Sequence, residues 1–159
     1  MQKKINASYL GLVLFFIILS CSGDILFEKH QKIPEPGWSI SDTLVFDVPV
    51  NDTLAAYDIF IHLRNTSDYN WRNIFLFTTT TAPTGEQVTD TLEYYLADAS
   101  GKWLGKGWGH IWSNTLPYRQ NIRFPYKGIY TIKIVQGMRT GQLKHIRDVG
   151  IIVSEHKSK

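Results

Sequence analysis

In Tyr57-Asp58-Ile59-Phe60-Ile61-His62-Leu63-Arg64, every odd-numbered residue is a large apolar or aromatic one, and three of the four even-numbered residues carry polar heads. Side chains of a β-strand point alternately to opposite faces, so a period of two reads as a strand with one buried face. The same rhythm continues on both sides. Leu44, Phe46 and Val48 alternate with Val45 and Asp47, and Leu92, Tyr94 and Leu96 with Glu93, Tyr95 and Ala97. Further on, Leu116, Tyr118, Ile122 and Phe124 oppose Arg119, Asn121 and Arg123. Tyr130, Ile132 and Ile134 oppose Thr131, Lys133 and Val135, and Val149, Ile151 and Val153 close the series. Ile74-Phe75-Leu76-Phe77 is apolar on both faces, which predicts a central strand covered on both sides, with Phe75 fully buried.

Turn residues separate these runs: Asn51-Asp52, Asn65-Thr66-Ser67-Asp68, Pro83-Thr84-Gly85, Asp98-Ala99-Ser100-Gly101, Pro125-Tyr126-Lys127-Gly128 and Arg139-Thr140-Gly141. About eight short strands and no run of helical period follow the N-terminal segment. The expectation is an all-β domain, a single antiparallel β-sandwich of plain or jelly-roll type.

The 159 residues suit one domain plus a leader. Residues 1–20 hold Lys3 and Lys4, then an uncharged apolar run from Tyr9 to Leu19, too short for a bilayer span of about 20 residues and suited to a signal peptide. Ile18-Leu19-Ser20-Cys21 has the form of a lipobox, so cleavage before Cys21 and acylation of that residue are expected. Two or more acyl chains hold a protein stably in a membrane, where one does not. Acylation also uses the chain's one cysteine, so no disulfide or thiol chemistry remains. Residues 21–38, rich in Pro34, Pro36 and Gly37, read as a lipidated tether, and residues 39–159 as the sandwich. Seventeen tether residues reach roughly 60 Å when extended and about 20–25 Å on average. Ile25, Leu26 and Phe27 are placed to dock on the domain and shorten that reach.

The net charge of +3 falls to +1 once Lys3 and Lys4 leave with the leader, which removes any electrostatic case for nucleic acid. No histidine of His30, His62, His110, His145 and His156 has a second one three to five residues away, so no metal site is expected, nor any cofactor. Glu28 and His30 fall in the tether, a poor place for preorganised chemistry. Neither G-x-S-x-G nor S-x-x-K occurs. Asp90 and Glu93 stand three apart in a strand and so point to opposite faces, which breaks any carboxylate pair. Asp47, Asp52, Asp98 and Asp148 read as backbone supports at turns and strand ends. No catalytic constellation emerges.

The most unusual segment is Lys102-Trp103-Leu104-Gly105-Lys106-Gly107-Trp108-Gly109-His110-Ile111-Trp112. It sets three of the five tryptophans among glycines. Trp103, Trp108, His110 and Trp112 are thus candidates for partner docking or for glycan stacking. The same residues also fit tryptophans turned into the core, with the glycines serving bulges.

From Cys21 to about Val153 the chain resembles the gliding-motility lipoprotein H (GldH) family of Bacteroidetes-type bacteria. The resemblance is carried by the lipobox cysteine, Pro36-Gly37-Trp38, Val45-Phe46, Leu63-Arg64-Asn65 with Tyr69, and Asn73-Ile74-Phe75-Leu76-Phe77. In the middle stand Pro83-Thr84-Gly85, Asp90-Thr91-Leu92-Glu93, Leu96-Ala97-Asp98 and Gly101-Lys102-Trp103-Leu104-Gly105. Phe124-Pro125, Gly128-Ile129-Tyr130, Gln136-Gly137-Met138-Arg139 and Asp148-Val149-Gly150 complete it. The resemblance implies a non-enzymatic cell-envelope lipoprotein needed for gliding motility and tied to the type IX secretion machinery. Its expected partners are the membrane, through acylated Cys21, and other gliding or secretion proteins of the envelope, and its expected place is the outer rather than the inner membrane. The family offers no catalytic motif, and only the lipidated Cys21 carries over residue to residue. A glycan-binding or glycan-active surface lipoprotein built on Trp103–Trp112 is the rival expectation.

Overall fold

The computed structural model of the chain describes residues 25–157; the expected leader and the expected acylation site Cys21 lie outside them. In chain order the strands are β1 (Ile25–Lys32), β2 (Trp38–Ser39), β3 (Leu44–Val50), β4 (Tyr57–Thr66), β5 (Asn73–Thr81), β6 (Gln87–Tyr95), β7 (Lys106–Trp108), β8 (Ile111–Ile122), β9 (Gly128–Gln136), β10 (Gln142–Leu143) and β11 (Ile146–Glu155). There is no helix among the described residues. One sheet runs β1-β11-β4-β8-β7 and the other β3-β9-β5-β6, with a small β10-β2 ribbon beside them. Every pairing is antiparallel. Setting aside the short β2, β7 and β10, eight strands remain, and the chain changes sheet at every step except β5 to β6. Two facing four-stranded sheets joined in that manner form a jelly roll.

The period-two residues build the core. Phe46, Val48, Ile59, Ile61, Leu63, Ile74, Leu76, Ile132, Ile134, Val149, Ile151 and Val153 are all buried between the sheets. Each such side chain contributes about 1.5–3 kcal/mol on burial. The open sides of the sandwich are closed by polar contacts. On one side, Gln31 Nε2 of β1 donates to the Val45 carbonyl of β3 at 2.6 Å. On the other, the Tyr94 hydroxyl of β6 donates to the Pro117 carbonyl of β8 at 2.8 Å. Tyr118 and Arg119 of β8 both donate to Asp90 of β6, at 3.0 and 2.6 Å. Side chains thereby occupy edge groups that would otherwise invite pairing with another strand.

Two sequence expectations need correction. The segment read as tether is structural for most of its length: Ile25–Lys32 pairs with β11 from Ile25↔Ser154 to Lys32↔Asp148, and Trp38 is buried in the core. The jelly roll needs this strand, because β11 would otherwise be an open edge. Nor is β5 covered on both faces. A two-layer sandwich leaves each sheet one outer face, and β5 puts Phe75 and Phe77 on it. Phe77 stays 45% exposed, and Phe75 is half-buried beside Trp71 and Met138 rather than enclosed.

Strand directions give the molecule two distinct poles. β1 and β4 run the same way, since both are antiparallel to β11. At the near pole β1 begins, Ile25 lying by Ser154 and Ser154 by Asp58. The connections 51–56, 82–86 and 123–127 gather there. Nine residue steps along β4, about 30 Å away, Thr66 pairs with Ile111 at the far pole. The connections 33–43, 67–72, 96–110 and 137–145 lie at that end. Trp38, Trp71, Trp103, Trp108 and Trp112, all of the chain's tryptophans, belong to this far pole.

Candidate functional site

The β7–β8 hairpin projects from the far pole. Trp108 pairs with Ile111, leaving Gly109-His110 as a two-residue loop. Gly109 has φ +65°, the left-handed value that such a tight connection requires at its first position. The His110 carbonyl accepts from Ser67 N–H at 2.9 Å, which ties the tip to the neighbouring loop. Gly107 lies flat against the Trp112 ring, so closely that a Cβ there would overlap it. Trp112 is therefore folded down onto the hairpin, half-buried, and faces Trp103 with ring centroids 6.3 Å apart and planes tilted by 31°. Tyr69, itself buried, extends this stack to Trp103 at 6.5 Å and Trp71 at 5.6 Å. The Trp112 Nε1 is enclosed without a hydrogen-bond partner among the described residues, a cost of about 1–3 kcal/mol that the ring packing must offset.

The four candidates of the segment therefore separate into two pairs. Trp103 and Trp112 pack inward, braced by the bridge Ala97↔Trp103 and by Leu104 N–H on the Leu96 carbonyl at 2.8 Å. Asp98 shapes the turn before them, its carboxylate accepting from the backbone N–H groups of Ser100 and Lys102. Trp108 and His110 stand at the tip, and Trp108 is 94% exposed. The three rings do not form one flat exposed platform. Beside the hairpin runs an open groove of about 620 Å³ between His62, Thr115, Lys106, Leu104 and Tyr95. The exposed faces of Leu104 and Tyr95 and the Lys106 ammonium offer apolar contact and one cation, but no nucleophile paired with a base.

Other charged residues serve the fold. Asp90 closes the sandwich as described, while Glu93 points the opposite way and accepts from Asn73 Nδ2 at 2.6 Å. Burial pushes the neighbouring Tyr94 hydroxyl up to about 12. Asp148 differs from its expected role as a turn support: it is buried and takes three hydrogen bonds from Arg64, the shortest 2.6 Å. Asp58 holds His156 at 2.9 Å, which docks that histidine at the end of β11. Burial raises the Asp58 pKa, but the Asn121 N–H and the His156 ring lower it further, leaving it below the usual carboxylate value.

One cluster escaped the sequence reading. His30 of β1 and His62 of β4 flank Gly150 of β11 in a single cross-strand row on the outer face. Because Gly150 has no side chain, the two rings bend over it and meet, His30 Nε2 to His62 Nδ1, at 3.0 Å. Residues 32 apart in sequence cannot be paired by local spacing; the glycine between two polar strand positions was the available signal. Burial, then the proximity of His30, lowers the His62 pKa below 6.5. Among the described residues, no group of three or more His, Cys, Asp or Glu is placed to hold a metal ion.

The family described as GldH lipoprotein matches residues 25–153, beginning with β1. The chain is 33% identical over 153 residues to the gliding motility lipoprotein GldH homolog of Christiangramia forsetii, covering 91% of this chain and 93% of that protein. It is 29% identical over 159 residues to the gliding motility lipoprotein GldH of Flavobacterium johnsoniae, covering 96% and 98%. Among solved structures, the infectious bursal disease virus VP2 subviral particle superposes over 82% of this chain and 30% of its own, at 15% identity. Its TM-score of 0.34 is too low to bear on fold or function. With the family matched across the whole sandwich, the chain belongs to the GldH lipoprotein family.

Proposed function

We propose that this protein is a non-catalytic binding component of the cell envelope, held in a membrane by acylated Cys21 and serving gliding motility and the type IX secretion linked to it. The observation that carries the reading is the separation of the poles. Cys21 precedes Ile25 by four residues, which span at most about 14 Å. The anchor thus belongs to the near pole, and Trp108 stands at the opposite end, exposed at 94% and clear of the anchoring surface. A binder fixed near its membrane gains effective concentration towards other membrane-fixed proteins, so a modest interface suffices. Trp108 supplies the kind of rigid aromatic anchor that dominates such interfaces, with His110 beside it. Trp103 and Trp112 act beneath as the support that fixes the hairpin. The relatives named as gliding motility lipoproteins support the cellular role. We place the anchor in the outer rather than the inner membrane, with other gliding or secretion proteins as partners.

Replacement of the chromosomal gene tests this. Trp108→Ala should impair motility or secretion with normal lipidation and abundance, and Cys21→Ser should impair both lipidation and function. Full function in Trp108→Ala cells would reject the hairpin as the interface. A glycan reading would rest on Trp108 alone, because the other two rings turn inward; loss of glycan binding with intact protein partners would favour it.

A further inference from the structure

We propose that the near pole lies directly on the lipid surface that holds Cys21, with Leu54 and Tyr126 entering the headgroup–acyl boundary. This rests on the anchor reading and adds a defined orientation to it. Leu54 is 83% exposed at the tip of the connection 51–56. Tyr126, 41% exposed, stands in the adjoining connection 123–127. Neither exposure comes from a loose loop. Leu54 N–H donates to the Asp52 carboxylate at 2.8 Å, and Tyr126 N–H to the Tyr130 hydroxyl at 3.1 Å. Phe124 is buried behind them, 4.7 Å from the Tyr130 ring and 5.5 Å from Tyr57. Pro83 of the third connection touches Gly128 so closely that a Cβ there would lie 2.9 Å away. The three connections brace one another into an end from which Leu54 and Tyr126 project, with the exposed Ile25 at the start of β1 beside them.

What covers that end follows from the chain outside it. A tether of at most about 14 Å joins the start of β1 to a lipidated residue. The near pole therefore meets the bilayer at high effective concentration, and weak contacts are enough to hold it there. Tyrosine with an apolar body and polar tip suits the membrane interface. Arg123, Lys127 and Lys157 lie at the same end with Asp52, Asp58, Glu86 and Glu155, so both signs are mixed there with no large excess of either, and apolar contact dominates.

The tryptophans supply the test. The full-length lipidated protein is reconstituted into phosphatidylethanolamine–phosphatidylglycerol vesicles whose acyl chains are brominated, a quencher that acts only on contact. All five native tryptophans sit at the far pole, so wild-type emission should be unchanged by bromination. Leu54→Trp, at an exposed site that threatens no packing, should add emission that is blue-shifted and mostly lost in brominated vesicles. An added emission that survives bromination would overturn the seating, as would equal quenching of the native tryptophans. Protein that fails to float with the vesicles would instead overturn the Cys21 anchor, and the seating with it.

Discussion

Gly107→Ala should loosen the aromatic floor beneath the exposed Trp108. Gly107 does not occupy a left-handed conformation, so the added methyl acts by contact alone. Its position overlaps the six-membered ring of Trp112, which must swing away from Trp103. Losing one aromatic pair costs about 0.5–1.5 kcal/mol. Re-exposing part of a half-buried indole adds about 1 kcal/mol more. Alanine in a strand recovers about 0.5–1 kcal/mol relative to glycine. The net is about 0.5–2 kcal/mol, a fall of about 2–8 °C in melting temperature for a domain of this size. Near-ultraviolet circular dichroism should show the loss of the Trp103–Trp112 coupling in the same sample. A melting curve and aromatic spectrum identical to wild type would refute the inward packing of Trp112.

Leu76→Ala should cost about 2–5 kcal/mol, whereas Phe75→Ala, half-buried on the outer face, should cost about 1–2 kcal/mol; denaturant titrations giving the reverse order would refute the layering of β5. Arg64→Ala strands the buried Asp148 carboxylate and should cost about 3 kcal/mol, which Arg64→Lys should only partly restore if the paired hydrogen bonds matter. His62 is held neutral in the fold by burial and by His30, in a field that also includes Glu28, Arg64 and Asp148. The unfolded chain takes up that proton first, so stability is full above about pH 6.5 and falls as the pH drops through the window below it. His62→Gln should flatten that part of a melting temperature–pH profile, and an unchanged profile would count against the His30–His62 contact. Cys21→Ser should leave an unprocessed precursor without fatty acid, read by intact mass.

The layers of the sandwich were legible in the sequence where one strand face met the core and the other met water. β3, β4 and β9 show that alternation, while β11 keeps it only in the core set Val149, Ile151 and Val153, its other face being covered at Asp148 and Gly150; the sandwich or jelly-roll expectation rests on them. β1 was not legible because it is an edge strand. Lys29 and Gln31 fall on its inner side, where they face the gap towards β3 rather than the core, so Glu28-Lys29-His30-Gln31-Lys32 shows no apolar rhythm. β5 misled for the opposite reason: its outer face carries Phe75, half-buried beside Trp71 and Met138, and the exposed Phe77, and an apolar run cannot distinguish such a face from a second packed layer. In the tryptophan segment, composition marked an unusual site but left the facing open. That depended on Gly107 accepting Trp112 and on Gly109 turning the hairpin, two roles that a run of glycines does not separate.

A lipid-anchored sandwich that meets its partners through the hairpin at its far pole should lose them when Trp108 is removed. The direct measurement is quantitative mass spectrometry of proteins recovered with the detergent-solubilised, lipidated chain, comparing wild type with Trp108→Ala. An interface anchored by Trp108 loses about 2 kcal/mol or more on truncation, roughly a thirtyfold drop in affinity. Recovery of envelope partners should fall accordingly while folding and acylation stay normal. Undiminished recovery with the folded, acylated variant would contradict the claim.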